Sequence, residues 1–426
     1  MSLSGALSSA VSGLSAQSLA LSTISANIAN ASTTGYKTEE NSFDALISAS
    51  GPTAEGAGVI AMTNRAMTVQ GDIAPSSVPT NMAINGAGFF VVAGSADSAA
   101  SADLYTRNGS FAANSDGYLV NSDGNYLKGY ATDSTGKVLS ANASDPNGLT
   151  AINVAATNGA PKATTTATFV ANLPADLAVG GKVSSSIVAI DSQGVSQTID
   201  QTWTKTSANT WTMALAAPYA TNSGSTTATG TVSPASVTVT FDGAGVLAST
   251  NPSPVSLTLS GLSSGAADST FALNLGTVGK TDGLTQFASA DASAGIAITS
   301  NTQDGATPGS LASVAIDASG LVTAKYDNGV DVPIAKVPVA TFPDEDSLNQ
   351  VSGSTFSQSQ ASGNVVLSTA GTGTAGSISA GALESSTTDT AAEFNKMIVA
   401  QQAYSAAAQV LKAADTMYST LIQAMT

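Results

Sequence analysis

Both ends of this chain carry a seven-residue apolar repeat, and no helical period of useful length interrupts the sequence between them. Near the N-terminus Leu7, Leu14, Leu21 and Ile28 stand seven apart, with Leu3, Ala10, Gln17 and Ile24 at the intermediate positions. That spacing predicts a helix with a coiled-coil seam and one polar interruption, weakened as an isolated helix by Gly5 and Gly13. The repeat stops at Asn27-Ile28-Ala29-Asn30, where Ser32, Thr33, Thr34 and Gly35 supply turn formers. The other end pairs Phe394 with Met397, Gln401 with Tyr404, Ala408 with Leu411, Asp415 with Tyr418 and Ile422 with Met425, without Gly or Pro. Thr387-Thr388-Asp389 is expected to cap this second helix, and Glu393 to place a favourable charge in its first turn.

A helix with one apolar stripe needs a partner to cover it. The two end helices can pair with each other as an antiparallel hairpin, or with neighbouring copies. The face opposite the N-terminal stripe is Ser, Thr, Gln and Asn with no charge, unlike a solvated surface helix studded with Lys and Glu. That neutrality favours packing in an assembly or lining a conduit.

The middle of the chain reads as β structure. Short alternating runs at 187–190, 237–241, 257–259 and 271–275 lie between Gly, Asn, Asp and Pro turns, as in sandwiches or barrels. Asn-Ser-Asp-Gly occurs at Asn114 to Gly117 and again at Asn121 to Gly124, predicting two tight turns around one short strand. The expected fold class is multidomain α+β: terminal helices forming a coiled-coil core, with two mainly-β, sandwich- or barrel-like domains nested between them. The expected layout is 1–35 with 386–426 as the helical core, 36–70 with 366–385 as a connection, 71–145 with 285–365 as an inner β domain, and 146–284 as an inserted outer β domain.

Charge and composition exclude several functions. The 29 acidic and 13 basic residues leave a net charge of -16, which repels nucleic acid and anionic lipid. There is no cysteine for a disulfide or thiolate site, and no histidine for ordinary hydrolytic triads or zinc. Residues 1–36 lack Lys, Arg, Asp and Glu, so a cleavable signal with a basic start is not expected. No run approaches the ~20 apolar residues that span a bilayer, so no membrane insertion is expected.

Remaining motifs have plain structural readings. Gly86-Ala87-Gly88 precedes an apolar strand instead of opening a helix, so a turn suffices and no dinucleotide site is expected. The Asn-Ser-Asp-Gly pair lacks a bidentate Glu for calcium. Asp344-Glu345-Asp346 follows Pro343 and reads as a solvated loop, not as paired catalytic carboxylates. Trp203 and Trp211 fit core packing better than a carbohydrate platform. No catalytic, metal or cofactor-binding residue is assigned, and no cofactor is expected.

Several segments in one order then resemble a known family. The stretch 6–37, with Asn27-Ile28-Ala29-Asn30 and Thr34-Gly35-Tyr36-Lys37, is similar to the N-terminal signature of the flagellar rod and hook axial protein family. Met82-Ala83-Ile84-Asn85-Gly86-Ala87-Gly88-Phe89-Phe90, Tyr105-Thr106-Arg107-Asn108-Gly109-Ser110-Phe111, Asn328-Gly329 and Ala340-Thr341-Phe342 resemble its β-domain motifs. Gly381-Ala382-Leu383-Glu384 and Glu393-Phe394-Asn395-Lys396-Met397-Ile398, continuing to Gln401-Gln402-Ala403-Tyr404, resemble its C-terminal signature. Two departures stand out: Ser386-Thr387-Thr388-Asp389 replaces the family's Ser-Asn-Val-Asp, and Gln402 replaces an arginine.

The resemblance implies a non-enzymatic hook subunit that self-assembles into a curved hollow tube, acting as universal joint and export conduit. It further implies location in the flagellar hook outside the cell, export without a cleaved signal peptide, a homopolymer, and contacts with distal rod, hook cap, hook-filament junction proteins and the export apparatus. Assembly residues are expected to be Leu3, Leu7, Leu14, Leu21, Ile24, Ile28, Phe394, Met397, Tyr404, Leu411, Tyr418, Ile422 and Met425 of the heptads, together with Asn27, Asn30, Gly35, Tyr36 and Ile398. Alternatives are a distal rod or other axial protein, which would be shorter and lack a large insert, and a secreted β-rich adhesin or surface-layer protein. An adhesin would carry a cleavable signal and no C-terminal heptads. A polysaccharide-active enzyme would need convergent carboxylates.

Overall fold

The computed structural model describes residues 3–48, 55–97, 103–139, 146–155, 159, 161–289 and 295–425. Two helices, α1 (Leu3–Ala29) and α2 (Thr390–Met425), flank a β-rich body of several sheets, the architecture expected of heptad ends around an alternating middle. Asp389 caps α2: its carboxylate accepts the amides of Ala391 at 2.9 Å and Ala392 at 3.2 Å, satisfying first-turn donors that have no partner within the helix. The chain divides into two compact units, Met1–Ala156 with Val314–Ala324 and Pro333–Thr426, and Thr157–Ser313 with Lys325–Val332.

In the first unit α1 leads into a long antiparallel ribbon, β1 (Glu39–Ser48) with β2 (Glu55–Arg65), in register from Glu39 opposite Arg65 to Ser48 opposite Glu55. The segment 36–70, expected as a connection, contains this ribbon. It lies along α1, where the Val59 amide donates to Ser12 Oγ at 3.1 Å. A Cβ on Gly58, whose φ is +132°, would stand 2.3 Å from that same oxygen.

Beyond the ribbon, strand Phe89–Ala93 is buried along its whole length. A run apolar at every position suits a strand covered on both faces, because alternate side chains point to opposite sides. Phe90 and Val92 enter one core with Phe111, Leu119 and Leu127. Phe89 and Val91 enter another with Tyr105, Phe342 and Phe356. The strand pairs antiparallel with Leu104–Thr106, with Tyr126–Ala131 and with Pro338–Thr341.

Both Asn-Ser-Asp-Gly turns form around strand Leu119–Asn121. Asn114 Oδ1 accepts the amides of Asp116 and Tyr118, and Asn121 Oδ1 those of Asp123 and Asn125. Gly117 and Gly124 each sit at φ 83°, a left-handed position that favours glycine. Asp133, Asp191, Asp242 and Asp317 make the same pair of bonds to amides two and four residues on.

The second unit holds a five-stranded sheet, with Thr166–Asn172 and Ser269–Asn274 paired in parallel, and a six-stranded sheet built from hairpins between Lys182 and Asn251. Alternate residues of both meet in one core that includes Phe169, Trp203, Trp211, Leu257 and Phe271. Trp203 stacks on Phe169 with centroids 6.2 Å apart, and Trp203 and Trp211 are fully buried. Both tryptophans are core residues. Trp203 pairs across the strands with Met213, and Trp211 with Lys205, so they are diagonal neighbours.

Candidate assembly site

In the first unit α1 and α2 run side by side, joined where α1 ends and α2 begins. On α1 the buried side chains are Ala10, Ala16, Ala20, Thr23, Ile24 and Asn27. On α2 they are Glu393, Ala400 and Ala414, with Ala403, Ala407 and Leu411 half-buried. Alanine allows the two backbones to approach closely, so alanine-bearing rows face inward. The heptad seam was expected on larger side chains. Instead Leu7, Leu14, Leu21, Ile28, Met397 and Leu411 are half-buried at its margins. Among the described side chains at heptad positions, only Ala10 and Ile24 are buried.

The other expected α2 residues point outward. Phe394 and Ile398 are each 53% exposed, Ile422 is 60% exposed, and Tyr404 and Tyr418 are also exposed. Val399, Val410 and Met417 add to this apolar surface. The side chains of Leu3 and Met425 lie outside those described. An open groove of about 550 Å³ lies between α1, β1 and the first half of α2, with Ile24, Phe43, Val399, Ala400 and Ala403 in its lining.

Asn27 ties the base of this arrangement together. Its Nδ2 donates to Glu39 O at 2.8 Å and to Glu393 Oε2 at 3.2 Å, while its Oδ1 accepts the Tyr36 hydroxyl and the Glu39 amide. Burial, followed by the negative charge of Glu39, pushes the Tyr36 phenol up to about 12, so it remains a donor. Asn30 turns the chain locally, donating to Ala26 O and accepting from Thr33 Oγ1. The hydrogen bond to Glu393 and the nearby charges of Glu393 and Glu40 hold Lys396 above the usual lysine range.

A second cluster lies just beyond the knot. Glu384 Oε1 accepts Lys37 Nζ at 2.6 Å and the Gly71 amide at 2.9 Å, and Oε2 faces Arg107 Nη1 at 3.5 Å. All three charged side chains are at most 3% exposed. Burial depresses the Lys37 ammonium despite the attraction of Glu384. Gly35, at φ +67°, packs so closely that a Cβ there would meet the Arg107 carbonyl carbon at 2.7 Å.

Glu345 overturns one expectation. The sequence places it in a solvated loop, yet it is only 8% exposed. Its neighbours follow the loop reading more closely: Asp344 accepts from Ser347 Oγ, while Asp346 accepts the Met67 amide. Burial pushes the Glu345 carboxyl up, although the charges of Arg107 and Lys37 oppose that shift. Lys37, Arg107 and Glu384 lie within the family motifs but are not among the expected assembly residues. A usable signal existed: Lys37 is the first charge in the chain, and Arg107 is one of its two arginines.

Four protein-family models match the chain: "Flagella basal body rod protein" over residues 7–37, "Flagellar hook protein FlgE/F/G D1 domain" over 83–165, "Flagellar basal body protein FlaE D2 domain" over 162–306, and "Flagellar basal body rod FlgEFG protein C-terminal" over 379–424. The flagellar hook protein FlgE of Rhizobium meliloti is 34% identical over 428 residues, covering 99% of each chain. The protein of the same name from Brucella abortus is 32% identical, again over 99% of each chain. That of Salmonella typhimurium is 31% identical over 97% of this chain and 98% of its own. A solved Helicobacter pylori flagellar hook protein FlgE2 aligns at 13% identity over 71% of this chain and 98% of its own, with a TM-score of 0.41, a loose likeness.

Proposed function

The chain belongs to the flagellar hook protein family, a structural and non-enzymatic family, and from that membership we propose that it polymerises with many copies of itself into a curved hollow tube. The tube acts as a universal joint between motor and filament and as a conduit for exported subunits. By the same membership its further partners are the distal rod, the hook cap, the hook-filament junction proteins and the export apparatus, and it leaves the cell without a cleaved signal.

One observation supports polymerisation most directly: α2 carries Phe394, Ile398, Val399, Val410, Met417 and Ile422 at 52–65% exposure. A helix apolar on its outward side as well as its inward one leaves surface that a neighbouring copy can bury. The groove between α1, β1 and α2 offers a complementary concave apolar surface. We read the apolar heptad residues named above and Ile398, with Asn27, Asn30, Gly35 and Tyr36 at their base, as the assembly residues, and the end helices as coiled-coil partners within and between copies.

The layout in this reading keeps 1–35 with 386–426 as the helical core, and 36–70 with 366–385 as its connection. The inner β domain is 71–145 with 285–365, and 146–284 is an outward insert. The match of the FlaE D2 model to 162–306 supports a separate body there. A straight shaft, the distal-rod alternative, is less well supported, because the relatives named hook protein align along essentially their whole length.

Removing 1–30 tests the proposal. The shortened chain should keep its β signal by circular dichroism and form no filaments by electron microscopy, while the full chain forms curved tubes. Filaments from the shortened chain would refute the assembly role of α1.

A further inference from the structure

Lys37 and Glu384 stand where the two chain segments pass between the helix pair and the β body. Lys37 follows α1, and Glu384 precedes the Asp389 cap of α2. Arg107 belongs to the β body, where it donates to Gly86 O at 3.0 Å and lies 5.2 Å above the Phe89 ring of the central strand. Glu384 is the node. Its carboxylate takes Lys37 and Gly71 and faces Arg107, and its carbonyl accepts the Gly35 amide at 2.8 Å. Backbone bonds run alongside, from the Thr387 amide to Tyr36 O and from the Ser385 amide to Asp72 O. Two buried cations thus meet on one buried carboxylate.

A hinge between parts of a subunit is ordinarily a short exposed stretch free to change its backbone angles. This joint is the opposite. Buried ion pairs add little net stability over apolar packing of the same volume, yet removing one partner strands the other. Stability alone therefore does not account for a buried three-charge cluster here. A carboxylate held by donors from three separate segments does fix one geometry.

We infer that the buried Lys37–Glu384–Arg107 cluster is a rigid coupler that holds the helix pair at one angle to the β body of its unit, with Glu384 as the positioning residue. Given the hook reading, on which this role in load transfer rests, torque passes through the joint unbent and the compliance of the tube lies elsewhere.

The chain has no cysteine, so Ala113→Cys and Gln402→Cys, both at exposed positions, place a pair of spin labels across the joint. Labelled subunits sparsely diluted in assembled tubes should give one narrow distance distribution. Glu384→Gln should broaden it about twofold or more, because an amide keeps the shape but sets an N–H donor against Arg107 or Gly71. Lys37→Arg, which keeps the charge, should leave it narrow. An unchanged width in Glu384→Gln, or an equally broad parent, overturns the coupler. If Glu384→Gln loses its native circular dichroism, Lys37→Met replaces it with the same expectation and the same refutation. Failure of the parent to form tubes would count against the hook reading alone. Amide exchange at Gly35 and Gly71 in the free chain then reads the joint, expected at least about tenfold faster in the variant; equal rates overturn it.

Discussion

At the residue scale, single oxygens organise the turns and joints of this chain. Asp304 is a clear case in the second unit. Its carboxylate accepts the Thr165 hydroxyl at 2.6 Å and the Thr165 and Thr166 amides at 2.8 Å each, with Lys162 at 3.3 Å. Partial burial works against ionisation, but these donors outweigh it and hold the carboxyl well below the usual range. A depressed folded value means stability that is present above the unfolded carboxyl pKa and is lost as pH falls through it toward the folded value. Asp304→Asn should therefore unfold more easily than the parent at pH 7, with the gap closing below about pH 4. Denaturant titration followed by tryptophan fluorescence reads this directly, since Trp203 and Trp211 are both in that unit. A gap independent of pH would show that the hydrogen-bonded charge is not the cause. Glu345 works in the other sense. Its raised carboxyl opposes folding when ionised, and that penalty is relieved as pH falls through its folded value.

At the element scale, α2 separates two kinds of apolar side chain. Small ones face α1, as at Ala400 and Ala414, and large ones face outward, as at Ile398 and Val399. Ile398→Lys should leave the stability of the free subunit within about 0.5 kcal/mol, because the side chain is already half in water, yet it should suppress tube formation in a sedimentation assay. Ala400→Leu is the contrasting control: overfilling the helix interface should lower subunit stability by about 1–3 kcal/mol. Normal sedimentation of Ile398→Lys would remove the outward stripe from the assembly surface. The ribbon β1–β2 shows a related division, with Phe43, Ile60 and Met62 exposed and Asn41 hydrogen-bonded toward Thr23 and Thr63.

At the scale of the whole molecule, a bent rotating tube requires each row of subunits to shorten and lengthen once per turn. In this reading the helices hold the inner wall while the outer bodies slide past each other through small polar side chains. The second unit suits that role, with an exposed Ser- and Thr-rich stretch at 221–227. Cysteines introduced at exposed positions such as Ser225 or Val278 allow neighbouring outer bodies to be joined by bifunctional reagents. Verified cross-linking should stiffen the hook and impair swimming. Undiminished motility would contradict sliding contacts.

The amino-acid sequence by itself determined whatever depends on near neighbours. Helical ends, an alternating β middle, the Asp389 cap and the Asn-Ser-Asp-Gly turns all arise within a few residues, through periodicity and side-chain bonds to adjacent amides. The ordered motifs carried family and function in the same way. Tertiary structure alone decided which stripe of each helix turned inward, because that choice depends on how closely two backbones can approach, and alanine won over leucine. It also decided the fate of Glu345, which is buried while Asp344 and Asp346 on either side stay exposed. Lys37 and Glu384 are 347 residues apart, so no local pattern could announce that their charges meet. Only folding brings them within reach, and only burial from water makes their meeting consequential.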